Sequence, residues 1–382
     1  MEVAIPFIEV ANAIVESGGK DLTNCYQCAT CTGSCPWGYV EPLNMRQLIR
    51  LAQMGLEGYE SDDLWKCTTC GTCTDRCPRG VGIIDLVRSI RMMIGETGLI
   101  PQTLRTAVGS VRAKGNPWSG DRAERNGWAA KLEIPRFDAG QHEYLLFGCC
   151  MPSYDPRSRK VVEAAAKVLR AAGISFGVLD SEESCCGESV RKIGSETVFS
   201  SLVEGNGALF TRHGVRKILA LSPHCYYTFK HEYPEQGASF EVVHSSELFA
   251  SLLAAGRLKP VKPTHTTVTY HDPCYLGRHS GLFDPPRAIL QAIPGITFNE
   301  MVRVRASSLC CGGGGGRMWM ETKLGERFSD LRVPEALAVG ANVLATSCFY
   351  CISMLEDSCR NANQEGVLAI RDVTELLAES LG

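Results

Sequence analysis

Two stretches of this chain carry the same cysteine spacing. Cys149 and Cys185 are 36 residues apart, and so are Cys274 and Cys310. An adjacent cysteine follows in each case, Cys186 and Cys311, and another comes 39 residues later at Cys225 or 37 later at Cys348. The segments between them repeat as well. The first copy runs through YLLFGCC (144–150), a helical stretch SRKVVEAAAKVLRAAG (158–173), ISFGVL (174–179) and KILALSPHC (217–225). The second runs through TVTYHDPC (267–274), a helix around 285–295, ITFNEM (296–301), a helix near 324–340 and NVLATSCFYC (342–351). Each copy closes on a strand-helix unit, EVVHSSELFASLLAAG (241–256) or VLAIRDVTELLAESLG (367–382). Strand alternating with helix predicts a mostly parallel α/β layer in each copy. The cysteines then fall at the C-terminal ends of strands, where open parallel sheets place their ligands. Two such domains, 144–262 and 263–382, are expected to pack about a pseudo-two-fold axis.

The copies differ in one position. The second ends in Cys348 and Cys351, whereas the residue matching Cys351 in the first is Thr228. Cys150 and His224 are the nearby residues that could compensate.

A different cysteine pattern precedes the repeat. Residues 25–36 read CYQCATCTGSCP and residues 67–78 read CTTCGTCTDRCP, both C-x2-C-x2-C-x3-C-P. This is the run that wraps [4Fe–4S] cubanes in two-cluster ferredoxins, with the fourth thiolate supplied by the other run. The expected sets are Cys25, Cys28 and Cys31 with Cys77, and Cys67, Cys70 and Cys73 with Cys35. Structural zinc sites generally use separated pairs rather than four cysteines within eleven residues. Met45, Leu48, Ile49, Ala52 and Leu56 form a helical stripe between the runs, and 81–96 repeats that style. Residues 1–96 therefore read as an α-helical ferredoxin domain, and the Gly-, Pro- and Asn-bearing segment 97–143 as a connector. Its Trp118 and Trp128 are expected to pack it onto the body.

Composition narrows the function classes. A net charge of −3 gives no electrostatic case for nucleic-acid binding. No apolar run approaches the roughly 20 residues of a membrane span. The N-terminal segment lacks the basic start of a signal peptide and reads as a short amphipathic helix in the cytoplasm. Nineteen clustered cysteines in a reducing compartment argue for metal.

With these motifs together, the chain resembles the HdrD-type heterodisulfide reductases, in which a ferredoxin module is fused to a cysteine-rich "CCG" module. Components of sulfite-reductase membrane complexes (DsrK-type) and of tungsten benzoyl-CoA reductases (BamD-type) have the same layout. The resemblance implies an α plus α/β architecture and a non-cubane [4Fe–4S] cluster at Cys274, Cys310, Cys311, Cys348 and Cys351. For Cys149, Cys185, Cys186 and Cys225 it implies an ordinary cubane, a modified cluster or zinc. It implies single-electron relay through two cubanes to the second cysteine-rich site, with reduction of a disulfide there. The alternative is a non-catalytic electron-transfer subunit of a larger complex. The partner expected is a flavoprotein subunit, ferredoxin or cytochrome b, since the chain has no nicotinamide or flavin fingerprint. A cytoplasmic place follows, with peripheral attachment to the inner face of the membrane through a partner as the other option.

Disulfide cleavage needs a proton donor. His279 and His271 flank Cys274, and Arg317 supplies positive charge, so these three are the candidate catalytic residues. Gly312, Gly313 and Gly314 are expected to bring bare backbone N–H groups to the cluster sulfurs. Cys359 fits no motif and reads as a buried free thiol.

Overall fold

The structure, a computed structural model, describes residues 5–96, 98–323 and 325–382. Residues 1–4 of the expected N-terminal helix, Thr97 of the expected connector and Leu324 of the expected 324–340 helix lie outside the described residues.

Three helices, Ile8–Glu16, Met45–Met54 and Ile83–Glu96, frame the first domain. The middle one buries Met45, Leu48, Ile49 and Ala52, the stripe legible in the sequence. Asn44 starts it by accepting the Gln47 N–H at 3.1 Å. Each cysteine run ends in a short helix, Thr30–Ser34 or Thr72–Asp75.

Each copy of the repeat forms a four-stranded parallel sheet. In the first, β1 (Tyr144–Phe147), β2 (Phe176–Gly177), β3 (Lys217–Ala220) and β4 (Glu241–His244) lie in the order β2-β1-β3-β4. In the second, β5 (Thr266–Tyr270), β6 (Ile296–Phe298), β7 (Val343–Thr346) and β8 (Ala369–Asp372) lie in the order β6-β5-β7-β8. Both central pairs are buried, with Leu145 opposite Ile218 and Val268 opposite Val343. The connections leave in opposite directions from β1 and β3, and from β5 and β7. Each gap is therefore the topological switch point of its sheet, where a crevice opens at the strand ends.

The copies pack reciprocally. Helix Pro156–Ala171 of the first lies on helix Val373–Ser380 of the second, and Asp284–Ala292 of the second lies on Ser245–Ala254 of the first. The first long helix of each copy thus meets the last helix of the other, as a pseudo-two-fold requires. Arg157 bridges the interface to the Glu375 carboxylate at 3.1 and 2.9 Å.

The segment read as a featureless connector contains a regular helix, Gln102–Lys114, and a short one, Gly127–Lys131. The first buries Leu104, Ala107, Ser110 and Val111. Its apolar face is thin, which is why periodicity alone did not reveal it. Trp128 is buried against Gly148, and Trp118 stacks edge-on against Trp319 at 5.8 Å.

One buried side chain joins the three domains. Arg91 donates to the Leu64 and Cys67 carbonyls of the ferredoxin domain at 2.7 and 2.9 Å. It also donates to Lys192 O of the first α/β domain at 2.9 Å and to Gly315 O of the second at 3.0 Å.

Candidate metal centres

The two runs build the same loop. Gln27 and Ala29 in the first, and Thr69 and Gly71 in the second, all have positive φ. These left-handed residues curl the chain so that successive thiols face one side. A cavity of about 350 Å³ is lined by Cys25, Cys28, Cys31 and Cys77. A second of about 370 Å³ is lined by Cys31, Cys35, Cys67, Cys70 and Cys73. The first cavity thus draws three thiols from the first run and one from the second, and the second draws three from the second run and two, Cys31 and Cys35, from the first. Cys28 is exposed, and beside it Tyr26 is 58% exposed, so the first cavity lies near the surface. The second is deep, and burial pushes the Cys35 thiol up to about 12.

In the second α/β domain the thiols form a connected set. Cys274 Sγ lies 4.0 Å from Cys310 Sγ. Side-chain contacts continue from Cys310 to Cys311, from Cys311 to Cys351 and from Cys351 to Cys348. Gly312 N–H donates to Cys310 Sγ at 3.3 Å, and Gly313 N–H points at Cys311. Such N–H···S bonds favour the thiolate form, which a metal requires.

Gly314 has a different place. A β-carbon there would lie 2.5 Å from the Thr68 carbonyl oxygen, and one on Gly315 would lie 2.4 Å from that of Cys67. The far end of the glycine run therefore seats the ferredoxin loop. This close approach brings Cys70 of the second cavity into side-chain contact with Cys310.

The candidate catalytic residues separate. His271 is fully buried beside Cys311 and Cys351, the three ligand atoms lying within 4.8 Å of one another. Its Nδ1 accepts from Arg332 Nε at 3.3 Å, and burial lowers its pKa to about 3. His279 turns to the ferredoxin loop. Its Nε2 lies 2.9 Å from Thr69 O, its ring stacks on Tyr275 at 4.3 Å, and burial lowers its pKa to about 3. The Thr69 carbonyl can only accept, so His279 spends its Nε2–H there. A neutral imidazole committed to a carbonyl is a poor proton donor, and His279 instead pins the ferredoxin loop. Arg317 stacks over Trp37 at 5.4 Å and donates to Thr322 at 3.0 Å. The cation beside the second set is Arg278, which donates to Cys70 O at 2.8 Å and Ser308 O at 2.6 Å.

A third cysteine-lined cavity lies at the first α/β domain. Cys149, Cys150, Cys185, Cys186 and Cys225 line it, with Trp118, Trp319 and Tyr350 closing the other side. His224 and Glu188 also face it, 3.1 Å apart. Burial would neutralise both, yet their pairing pulls Glu188 down to about 2 and holds His224 well above its ordinary value. His224 also contacts Cys348 of the second set. In the sequence His224 stands out only as a substitute for the missing cysteine, through its position next to Cys225. Arg125, 3.2 Å from Cys150 Sγ, had no signal in the sequence. Cys359 is buried and lines none of the three cysteine-lined cavities.

All nineteen cysteines are free despite this crowding. Clustered reduced thiols, sulfur-directed N–H groups and thiol-lined cavities fit iron–sulfur clusters.

Comparison with known proteins agrees. Residues 21–81 match the 4Fe-4S dicluster domain, and residues 144–230 and 268–356 each match the cysteine-rich domain CCG. The chain is 41% identical to the probable iron-sulfur-binding oxidoreductase FadF of Bacillus subtilis, over 78% of this chain and 43% of that protein. It is 36% identical to the EtfAB:quinone oxidoreductase of Syntrophomonas wolfei, over 78% of this chain and 43% of that protein. It is 32% identical to the HdrD component of the dihydromethanophenazine:CoB--CoM heterodisulfide reductase of Methanosarcina barkeri, over 79% of this chain and 74% of that protein. The chain spans less than half the length of the first two relatives.

Proposed function

We propose, from the premise that this chain belongs to the HdrD family of iron–sulfur proteins typified by heterodisulfide reductase, that it serves a larger redox complex as a one-electron conduit. Cys25, Cys28, Cys31 and Cys77 would hold one cubane, and Cys35, Cys67, Cys70 and Cys73 the next. Cys274, Cys310, Cys311, Cys348 and Cys351 would hold a non-cubane cluster, and the first α/β domain a fourth metal centre. Iron–sulfur clusters, when bound, supply reversible one-electron transfer at potentials set by charge, hydrogen bonding and burial.

The observation that carries this reading is continuity between sites. Cys31 lines both ferredoxin cavities, Cys70 touches Cys310, and Cys348 touches His224 at the rim of the first α/β site. Four thiol-lined sites therefore form a row, with His224 between the last two. Exposed Cys28 and Tyr26 make the first cavity the natural entry for an external one-electron partner. We assign that partner to a flavoprotein in preference to a ferredoxin or cytochrome b, on the strength of the similarity to the protein named EtfAB:quinone oxidoreductase. In this reading the far end of the row is the first α/β site, whereas the complete cysteine motif points to the second.

Similarity to the Methanosarcina barkeri heterodisulfide reductase component favours a second reading, reduction of a disulfide. Low-temperature EPR of the purified complex with and without thiols separates the two. The conduit reading predicts spectra unchanged by thiols and electron delivery to a partner protein. An oxidised-state signal that broadens on thiol binding would transfer the case to disulfide chemistry.

A further inference from the structure

We propose that Cys150 is the fifth thiolate of the first α/β site, replacing the ligand lost at Thr228, so that both sites hold clusters bound by five cysteines. The inference rests on the reading above that this site binds iron and sulfur.

The position used in the second domain is closed in the first. Thr228 is fully buried and gives its hydroxyl to Glu232 at 3.2 Å, where Lys192 also ion-pairs. A second thiol comes instead from the end of β1. Cys149 has φ +70, a left-handed conformation unusual for a residue with a β-carbon. Neighbouring side chains in extended backbone point to opposite faces. The left-handed turn overcomes that and lets both Cys149 and Cys150 line the same cavity. Strained backbone of this kind persists where surrounding structure requires it.

The five thiols then form a continuous row. Cys150 contacts Cys185, Cys185 contacts Cys186, Cys186 contacts Cys225, and Cys225 contacts Cys149. The matching row in the second domain also joins five. The two copies reach the same count by different positions: Tyr275 stands where Cys150 does, and Thr228 where Cys351 does. Gly187 N–H donates to Cys185 Sγ at 3.4 Å, as Gly312 does to Cys310. Arg125, buried against Glu183, places its guanidinium 3.2 Å from Cys150 Sγ and offsets thiolate charge. Five converging thiols exceed the four that zinc takes, so this donor set selects a polynuclear iron site. Each thiol gives up its proton on binding metal.

The test is anaerobic reconstitution of the full chain as wild type, Cys150→Ser and Cys359→Ser, with iron and acid-labile sulfide counts, Mössbauer and EPR spectra. Wild type is expected to hold about four irons per site. Cys150→Ser should lose the iron of one site or change that site's spectrum, while the other three signals and the Cys359→Ser control stay as wild type. An unchanged spectrum and iron count in Cys150→Ser would overturn the inference. Should that variant fail to fold, ENDOR of the wild-type chain grown on β-deuterated cysteine counts the ligands directly; four at this site instead of five overturns it as well. Wild type lacking iron in this domain would instead defeat the functional reading on which the inference stands.

Discussion

Gly314 and Thr68 are in backbone contact across a domain boundary: a β-carbon on Gly314 would sit 2.5 Å from the Thr68 carbonyl oxygen. That contact seats the loop that carries Cys70 beside Cys310, and on the conduit proposal it sets the approach of the ferredoxin domain to the second α/β domain. Gly314→Ala is therefore expected to destabilise the chain by about 1–3 kcal/mol, the usual cost of overpacking a close contact. It should also slow electron passage into the α/β domains without loss of iron. Thermal unfolding and iron counts check this; an unchanged melting temperature would show that the loop yields without cost.

Arg91 is the hub of the same boundary. It satisfies carbonyls in all three domains and stacks over Trp65 at 5.0 Å. Arg91→Met would leave four buried acceptors without their donor, at a cost on the order of 3 kcal/mol or more. Limited proteolysis should then cut between the domains at lower protease concentration than in wild type. Equal resistance would place the binding energy of the domains elsewhere.

A pH effect is expected at the far side of the second sheet. Asp372 is buried, and burial raises its pKa from 3.8 to about 7. Its folded form therefore binds a proton more tightly than the unfolded chain does. Between about pH 4 and 7 the native state carries more protons, so stability falls as pH rises through that window. Asp372→Asn keeps the acceptor for Thr374 N–H, now at 2.8 Å, and removes the charge. The variant should be more stable than wild type at pH 7.5 and should lose that downward slope. A slope equal to wild type in denaturant titrations at several pH values would contradict the assignment.

The second cysteine set should be separable from the ferredoxin clusters. Cys351 is buried in the α/β domain and lines neither ferredoxin cavity. Cys351→Ser is expected to abolish the special cluster while the two N-terminal cubane signals persist in EPR. Loss of every signal together would show that the ligand sets are partitioned wrongly.

The strands, the repeat and the thiols that converge were legible because they rest on local pattern and fixed spacing. Tyr144–Phe147 and Lys217–Ala220 are short apolar runs followed by cysteine, and the 36-residue interval announces the second copy. What docking decides was not legible. The glycine run reads as one cradle of N–H groups; Gly312 and Gly313 turn theirs to cysteine sulfur, whereas Gly314 serves a contact with Thr68, 246 residues earlier. His279 looked like an acid because it follows Cys274, yet its partner Thr69 is 210 residues away. Helix Gln102–Lys114 escaped notice because its buried face includes Ala107 and Ser110, residues that carry little hydrophobic signal.

Rapid-freeze EPR of the reconstituted chain tests the conduit most directly. Wild type is mixed with a one-electron donor and compared with Cys73→Ser, which removes one thiol of the deep ferredoxin site without altering the Cys70 and Cys310 side chains. The account predicts that the cluster at Cys25, Cys28, Cys31 and Cys77 is reduced equally fast in both, while the α/β clusters of the variant stay oxidised long after those of wild type are reduced. Reduction of the α/β clusters at the wild-type rate, with the deep ferredoxin cluster shown by iron count to be missing, would contradict it.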